Sequence, residues 1–159
     1  MTDLARLLSL LVEHGVEFIV VGGAAATAHG ASRLTQDVDV VYERGSDNLD
    51  RLAKALGPHD PYPRGAPAGL PFVFDAQTLR NGANFTFSTD LGDIDLLAEI
   101  VGGGTYHDLL PSSVELEAFG HSIRCLGLEK LIEVKRAAGR PKDFEAIAEL
   151  EALLEERSL

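Results

Sequence analysis

Leucines recur at positions 4, 7, 8 and 11, the spacing of one apolar helix face, with Thr2 placed as an N-cap and Gly15 just past the end. The pattern then changes period. Phe18-Ile19-Val20-Val21 is a short run of strand formers that stops at Gly22-Gly23, which predicts a strand entering a tight turn. Ala24 to His29 favours a short helix by propensity, with Gly30 to stop it. In Asp37-Val38-Asp39-Val40-Val41 the alternation is that of a strand, with Val38 and Val40 facing a core and both aspartates facing away from it. Leu49, Leu52, Ala53 and Leu56 return to helical spacing after Ser46-Asp47, and Gly57-Pro58 closes that helix.

Five prolines between Pro58 and Pro71, with Gly65 and Gly69, erase every periodicity and predict a long irregular connection. Phe85-Thr86-Phe87 and Ile94-Asp95-Leu96-Leu97 read as a hairpin, as do Val114 to Glu117 and Ser122 to Cys125 around Gly120. Two helices finish the chain: one with Leu128, Leu131 and Ile132 inward, and one from Pro141 with Phe144, Ile147, Leu150 and Leu154 inward. No repeat or boundary interrupts this order, so residues 1–159 are read as one α/β domain.

Composition narrows the functional classes. The chain is 45% hydrophobic over 159 residues, enough for a sizeable core, and no apolar run approaches the roughly 20 residues that span a bilayer. The N-terminus lacks a basic stretch followed by an apolar one, and Cys125 is the sole cysteine, which excludes an intrachain disulfide and suits a reducing cytoplasm. A net charge of -11 argues against a long duplex nucleic acid as partner, because counterion release needs a basic face. Three of the four lysines, Lys130, Lys135 and Lys142, fall near the C-terminus, so a polyanion contact would be local.

The candidate chemistry lies in the acidic strands. Residues two apart on a strand share a face, so Asp37 and Asp39 can present two carboxylates to one small volume, a donor set for a hard cation such as Mg²⁺. Two-metal phosphoryl transfer holds ions about 3.5–4 Å apart with clustered carboxylates, and a third aspartate from the later acidic strand meets that count. Asp93 and Asp95 lie on the same face of that strand, and geometry leaves both open. Gly22-Gly23 satisfies a tight turn by its freedom at positive φ; followed by a helix, it also admits phosphate close to free backbone N–H groups.

Val21-Gly22-Gly23, Asp37-Val38-Asp39 and Ile94-Asp95-Leu96 together resemble the nucleotidyltransferase superfamily typified by polymerase beta, whose pattern is hydrophobic-Gly-Gly/Ser, then Asp-hydrophobic-Asp/Glu, then a third carboxylate on a later strand. The likeness continues through His29-Gly30, Arg33 to Asp37, Gly104-Thr105-Tyr106 and Lys135 to Asp143, and is strongest to small prokaryotic members related to toxin-antitoxin pairs and aminoglycoside nucleotidyltransferases. It implies a small mixed β-sheet flanked by helices, with C-terminal helices. It also implies Mg²⁺ or Mn²⁺ on Asp37, Asp39 and Asp95, with Asp93 as the alternative third ligand, and an NTP such as ATP as donor.

Around that donor site, Gly22, Gly23, Arg33 and Lys135 are the nucleotide-binding candidates. Arg33 offers a planar cation to phosphate, and Lys135 sits on the inward stripe of its helix. Tyr106, Arg80 and Asn84 are weaker candidates for recognising acceptor or base, whereas His29 reads as a capping residue and Cys125 as a packed thiol. The acceptor is a tRNA 3′ end, a protein side chain or a small hydroxylated compound, and the acidic balance favours a cationic small molecule. The rival reading is a non-catalytic or regulatory member of the fold, such as one half of a toxin-antitoxin pair. A homodimer or a partner protein is then a candidate to complete the site.

Overall fold

The computed structural model describes residues 2–32 and 35–158. The leucine stripe forms helix α1 (Leu4–Glu13), with Leu7, Leu8 and Leu11 buried. Its N-cap is Asp3, whose carboxylate accepts the Arg6 N–H, and not Thr2. Thr2 is engaged elsewhere: its hydroxyl donates to the Gln36 carbonyl and accepts from the Asp93 N–H at 3.1 Å, tying the start of the chain to both acidic strands.

Strand β1 (Phe18–Val21) is buried along its whole length and passes directly into α2 (Gly22–Ala28), so the two glycines are themselves the first helical residues. Next come β2 (Asp37–Tyr42) and α3 (Ser46–Leu56), which buries Ala55 where the spacing had placed Ala53. The proline-rich connection is less irregular than its composition predicts. It contains the short edge strand β3 (Tyr62–Pro63) and leads to α4 (Ala76–Asn81), whose N-cap is Asp75.

The first hairpin is β4 (Phe85–Thr89) and β5 (Gly92–Leu97), and a two-stranded ribbon of β6 (Glu99–Ile100) and β7 (Gly104–Thr105) follows it. A one-turn helix α5 (Tyr106–Leu109) precedes the second hairpin, β8 (Ser113–Ala118) and β9 (His121–Leu126). Its turn residues Phe119 and Gly120 both have positive φ, as a tight hairpin turn requires. The chain ends with α6 (Leu128–Ala138) and α7 (Pro141–Ser158).

Among the described residues the main sheet runs β3-β4-β5-β2-β1-β9-β8, with β2–β5 and β1–β9 parallel and the other neighbours antiparallel. The mixed sheet flanked by helices is therefore the one expected. Pairing of β2 with β5 sets Asp37 beside Asp93 and Asp39 beside Asp95, while Val38, Val40, Ile94 and Leu96 are buried from the other face.

The phase of α7 differs from expectation. Asp143, Ile147 and Leu150 are buried, and Phe144 is 60% exposed. The helix is turned so that Asp143 meets Arg140, accepting from its backbone N–H and guanidinium. An i, i+4, i+7 stripe starting at 143 leaves Phe144 about 100° off the buried face. Among the described residues no helix is long and apolar enough to cross a membrane.

Candidate metal centre

Parallel pairing and strand alternation act together to build the site. Asp37 and Asp39 leave β2 on the face away from the core, Asp95 leaves β5 beside them, and one carboxylate oxygen from each lies within 4.8 Å of the others. Three carboxylate oxygens at that separation suit a single small hard cation.

Its electrostatics are those of a cluster in need of positive charge. Burial, then the Asp37 and Asp95 carboxylates, pushes the Asp39 carboxyl up to about 8, and burial with the Asp95 carboxylate raises Asp37 as well. Asp39 Oδ1 and Asp95 Oδ1 are buried and accept no hydrogen bond from any described group. Asp39 Oδ1, buried with no hydrogen bond from any described group and set beside two further carboxylates, fits a Mg²⁺ or Mn²⁺ ion.

Gly22 borders the cluster so closely that a Cβ there would lie 2.5 Å from Asp39 Oδ2, and a Cβ on Gly23 would lie 2.9 Å from Thr35 Oγ1. Both glycines line a cavity of about 520 Å³ that also includes Asp37, Asp39, Asp95, Lys135, Arg140 and Lys142. The inward position expected of Lys135 is the one observed. Burial lowers the pKa of its ammonium, an effect that Asp143 and Asp39 oppose. The cavity thus has three aspartates from the sheet, with Lys135 of α6, Arg140 of the link and Lys142 of α7 opposite them beside Asp143 and Glu149.

Arg64 is the site residue that sequence reasoning missed. It follows β3, its backbone N–H donates to Thr86 O at 2.9 Å, and its guanidinium reaches the acids: Nη2 lies 2.8 Å from Asp95 Oδ1, Nε 3.5 Å from Asp93 Oδ2, and Nη1 4.0 Å from Asp37 Oδ2. The contact with Asp95 is one of charge and not a hydrogen bond, because Nη2 donates instead to Phe87 O at 3.0 Å and Ile94 O at 3.4 Å. The only signal in the sequence was a lone arginine among prolines.

The other candidates separate cleanly. Arg33 lies outside the described residues. Tyr106 lines a different cavity with Glu17 and Arg124, Arg80 bonds Gln77 on its own helix, and Asn84 accepts the Ala98 N–H. His29 is the C-cap of α2, buried, with Nε2 donating to Leu126 O and Nδ1 accepting from Arg157. Cys125 is buried, which pushes its thiol up to about 11.

No protein-family model and no curated protein matches the sequence. Solved structures match over nearly the whole chain. The lincosamide antibiotic adenylyltransferase LnuA in its lincomycin-bound form aligns at a TM-score of 0.64 and 14% identity, covering 96% of this chain and 98% of that one. A candidate nucleotidyltransferase from Thermotoga maritima aligns at 0.57 and 15% identity, covering 98% and 96%. The antibiotic-resistance factor ANT(2'')-Ia aligns at 0.51 and 17% identity, covering 96% and 88%. These likenesses establish that the chain has the nucleotidyltransferase fold.

Proposed function

We propose that the chain is a nucleotidyltransferase domain over its whole length, moving an NMP from an NTP to an acceptor with release of pyrophosphate. The observation that carries the reading is the convergence of Asp37, Asp39 and Asp95, with two buried oxygens that accept no hydrogen bond from a described group, in a cavity also lined by Lys135, Arg140 and Lys142. In this reading the three aspartates hold Mg²⁺ or Mn²⁺. The ion, when bound, would neutralise the charge that develops on the triphosphate and its departing pyrophosphate.

The chain's own groups take the remaining roles. Gly22 and Gly23 border the cavity that takes the triphosphate, and Lys135 and Arg33 neutralise phosphate oxygens. Asp95 takes the proton from the acceptor hydroxyl as its oxygen bonds the α-phosphorus and the bond to the β-phosphate oxygen breaks. In-line positioning and fixed charge supply the acceleration.

ATP is the first donor to test. The acceptor we favour is a small hydroxylated cation, because a net charge of -11 draws cations toward the protein, and LnuA and ANT(2'')-Ia are an antibiotic adenylyltransferase and an antibiotic-resistance factor. The test is incubation with each α-labelled NTP, Mg²⁺ or Mn²⁺, and separate pools of aminoglycosides and lincosamides, tRNA and lysate protein. Label transfer that disappears in Asp37→Asn and Asp39→Asn proteins supports the reading. Absence of transfer from every NTP, together with absence of Mg²⁺-NTP binding, refutes it and leaves a non-catalytic member of the fold.

A further inference from the structure

Arg64 is held in place from both ends. Its N–H extends the β3–β4 ladder to Thr86 O, and Nη2 donates to the carbonyls of Phe87 and Ile94, residues directly paired across β4 and β5. A side chain fixed by backbone carbonyls cannot swing away from the acids without giving up those bonds. Its position is a built feature of the sheet edge.

The guanidinium contacts two of the three carboxylates assigned to the metal, at 2.8 Å from Asp95 and 4.0 Å from Asp37, and also Asp93 at 3.5 Å. It supplies part of the positive charge the cluster needs, but it leaves Asp39 Oδ1 and Asp95 Oδ1 without hydrogen bonds. A divalent ion among the same carboxylates therefore binds against a fixed like charge a few ångströms away. The same geometry separates the two aspartates of β5: Asp93 faces Arg64 Nε outside the cluster, whereas Asp95 faces both Arg64 and the cluster.

We propose that Arg64 is a resident counter-cation of the carboxylate cluster, which keeps divalent-ion binding weak in the free protein until a triphosphate brings its own negative charge. This rests on the metal reading given above. Loading of metal and nucleotide then becomes cooperative, since each raises the affinity for the other by the same factor.

The test is Mn²⁺ binding, measured by calorimetry and by electron paramagnetic resonance, with and without the unreactive donor α,β-methylene ATP. Arg64→Gln removes the charge, and Arg64→Met is a second uncharged variant should the first fail to fold. Arg64→Lys retains the charge, and thermal melts without metal establish folding. The expected result is Mn²⁺ affinity about tenfold tighter in the uncharged variants without nucleotide, near wild type in Arg64→Lys, and a smaller gain from nucleotide in the uncharged proteins. Unchanged or weaker Mn²⁺ binding in the folded uncharged variants overturns the proposal and leaves Arg64 a structural residue. Absence of Mn²⁺ binding in every protein overturns the metal reading itself, an outcome distinct from failure of label transfer.

Discussion

Gly22 and Asp39 occupy adjoining space: at φ 62° the glycine turns β1 into α2, and the carboxylate of Asp39 fills the place where a Cβ on Gly22 would project. One residue thus makes the reversal and admits the Asp39 carboxylate. Replacing it meets two penalties, because alanine in a left-handed conformation costs about 1–2 kcal/mol and the new methyl must displace the carboxylate. Gly22→Ala is expected to destabilise the protein by roughly 2 kcal/mol or more in urea unfolding. It should also weaken Mn²⁺ binding at least tenfold. A variant with wild-type Mn²⁺ affinity would show that Asp39 does not need this opening.

Asp39 gives the metal-free protein a characteristic pH dependence. Its carboxyl titrates near 8 in the fold, raised by burial and then by Asp37 and Asp95, against about 4 in the unfolded chain. The folded state therefore holds a proton that the unfolded state releases. The associated stability is fully present below pH about 4 and is lost as pH rises through about 8. Metal-free protein should lose of order 2 kcal/mol over that window after solvent screening, and Asp39→Asn should remove most of the slope. Mn²⁺ should restore the melting temperature at pH 8 and bind more weakly at pH 6, where the proton competes. Parallel pH profiles for wild type and Asp39→Asn would contradict the assignment.

What could be read beforehand depended on whether the physics was local. Asp37 and Asp39 were legible because strand alternation carries Val38 and Val40 to the core and the acids away from it, a relation contained within five residues. The β4–β5 and β8–β9 hairpins were legible for the same reason, through their turns. Parallel pairing of β2 with β5 is a contact across more than fifty residues, so the sequence does not show that Asp95, and not Asp93, brings an oxygen within 4.8 Å of Asp37 and Asp39. Arg64 was hidden because prolines abolish periodicity, while its placement comes from hydrogen bonds to Thr86, Phe87 and Ile94 far along the chain. The phase of α7 was misread because a hydrophobicity count places Phe144 inward, whereas a carboxylate satisfied by Arg140 was buried in its place.

His29 and Arg157 form a latch at the end of α7. The Arg157 guanidinium donates to His29 Nδ1 and to the His29 carbonyl, both at 2.8 Å, while Nε2 donates to Leu126 O at 2.8 Å. Burial, opposed by the Leu126 hydrogen bond and aided by Arg157, lowers the imidazole pKa, so His29 is held neutral. Its contribution to stability is present above pH about 6.5 and is lost as pH falls through the lowered value. Arg157→Ala should cost about 1 kcal/mol and speed amide exchange in the last turns of α7, with nucleotidyl transfer retained because neither residue lines the acidic cavity. Exchange unchanged from wild type would remove the latch.

Asp93 and Asp95 should differ sharply when each is neutralised. Asp95 shares the cluster with Asp37 and Asp39 and presents a buried oxygen that accepts no hydrogen bond, whereas Asp93, paired with Asp37 across the strands, lies 3.5 Å from Arg64 Nε and is not among the three acids within 4.8 Å of one another. Asp95→Asn is expected to lower transfer by about 10²–10³-fold and to weaken Mn²⁺ binding, as loss of a group acting on the developing charge requires. Asp93→Asn removes one of Arg64's countercharges but no clustered ligand, so activity should fall by about threefold to tenfold, with Mn²⁺ still bound. Thermal melts of both isosteric variants separate loss of folding from loss of activity. Equal losses in both, or a greater loss in Asp93→Asn, would move the third ligand from Asp95 to Asp93.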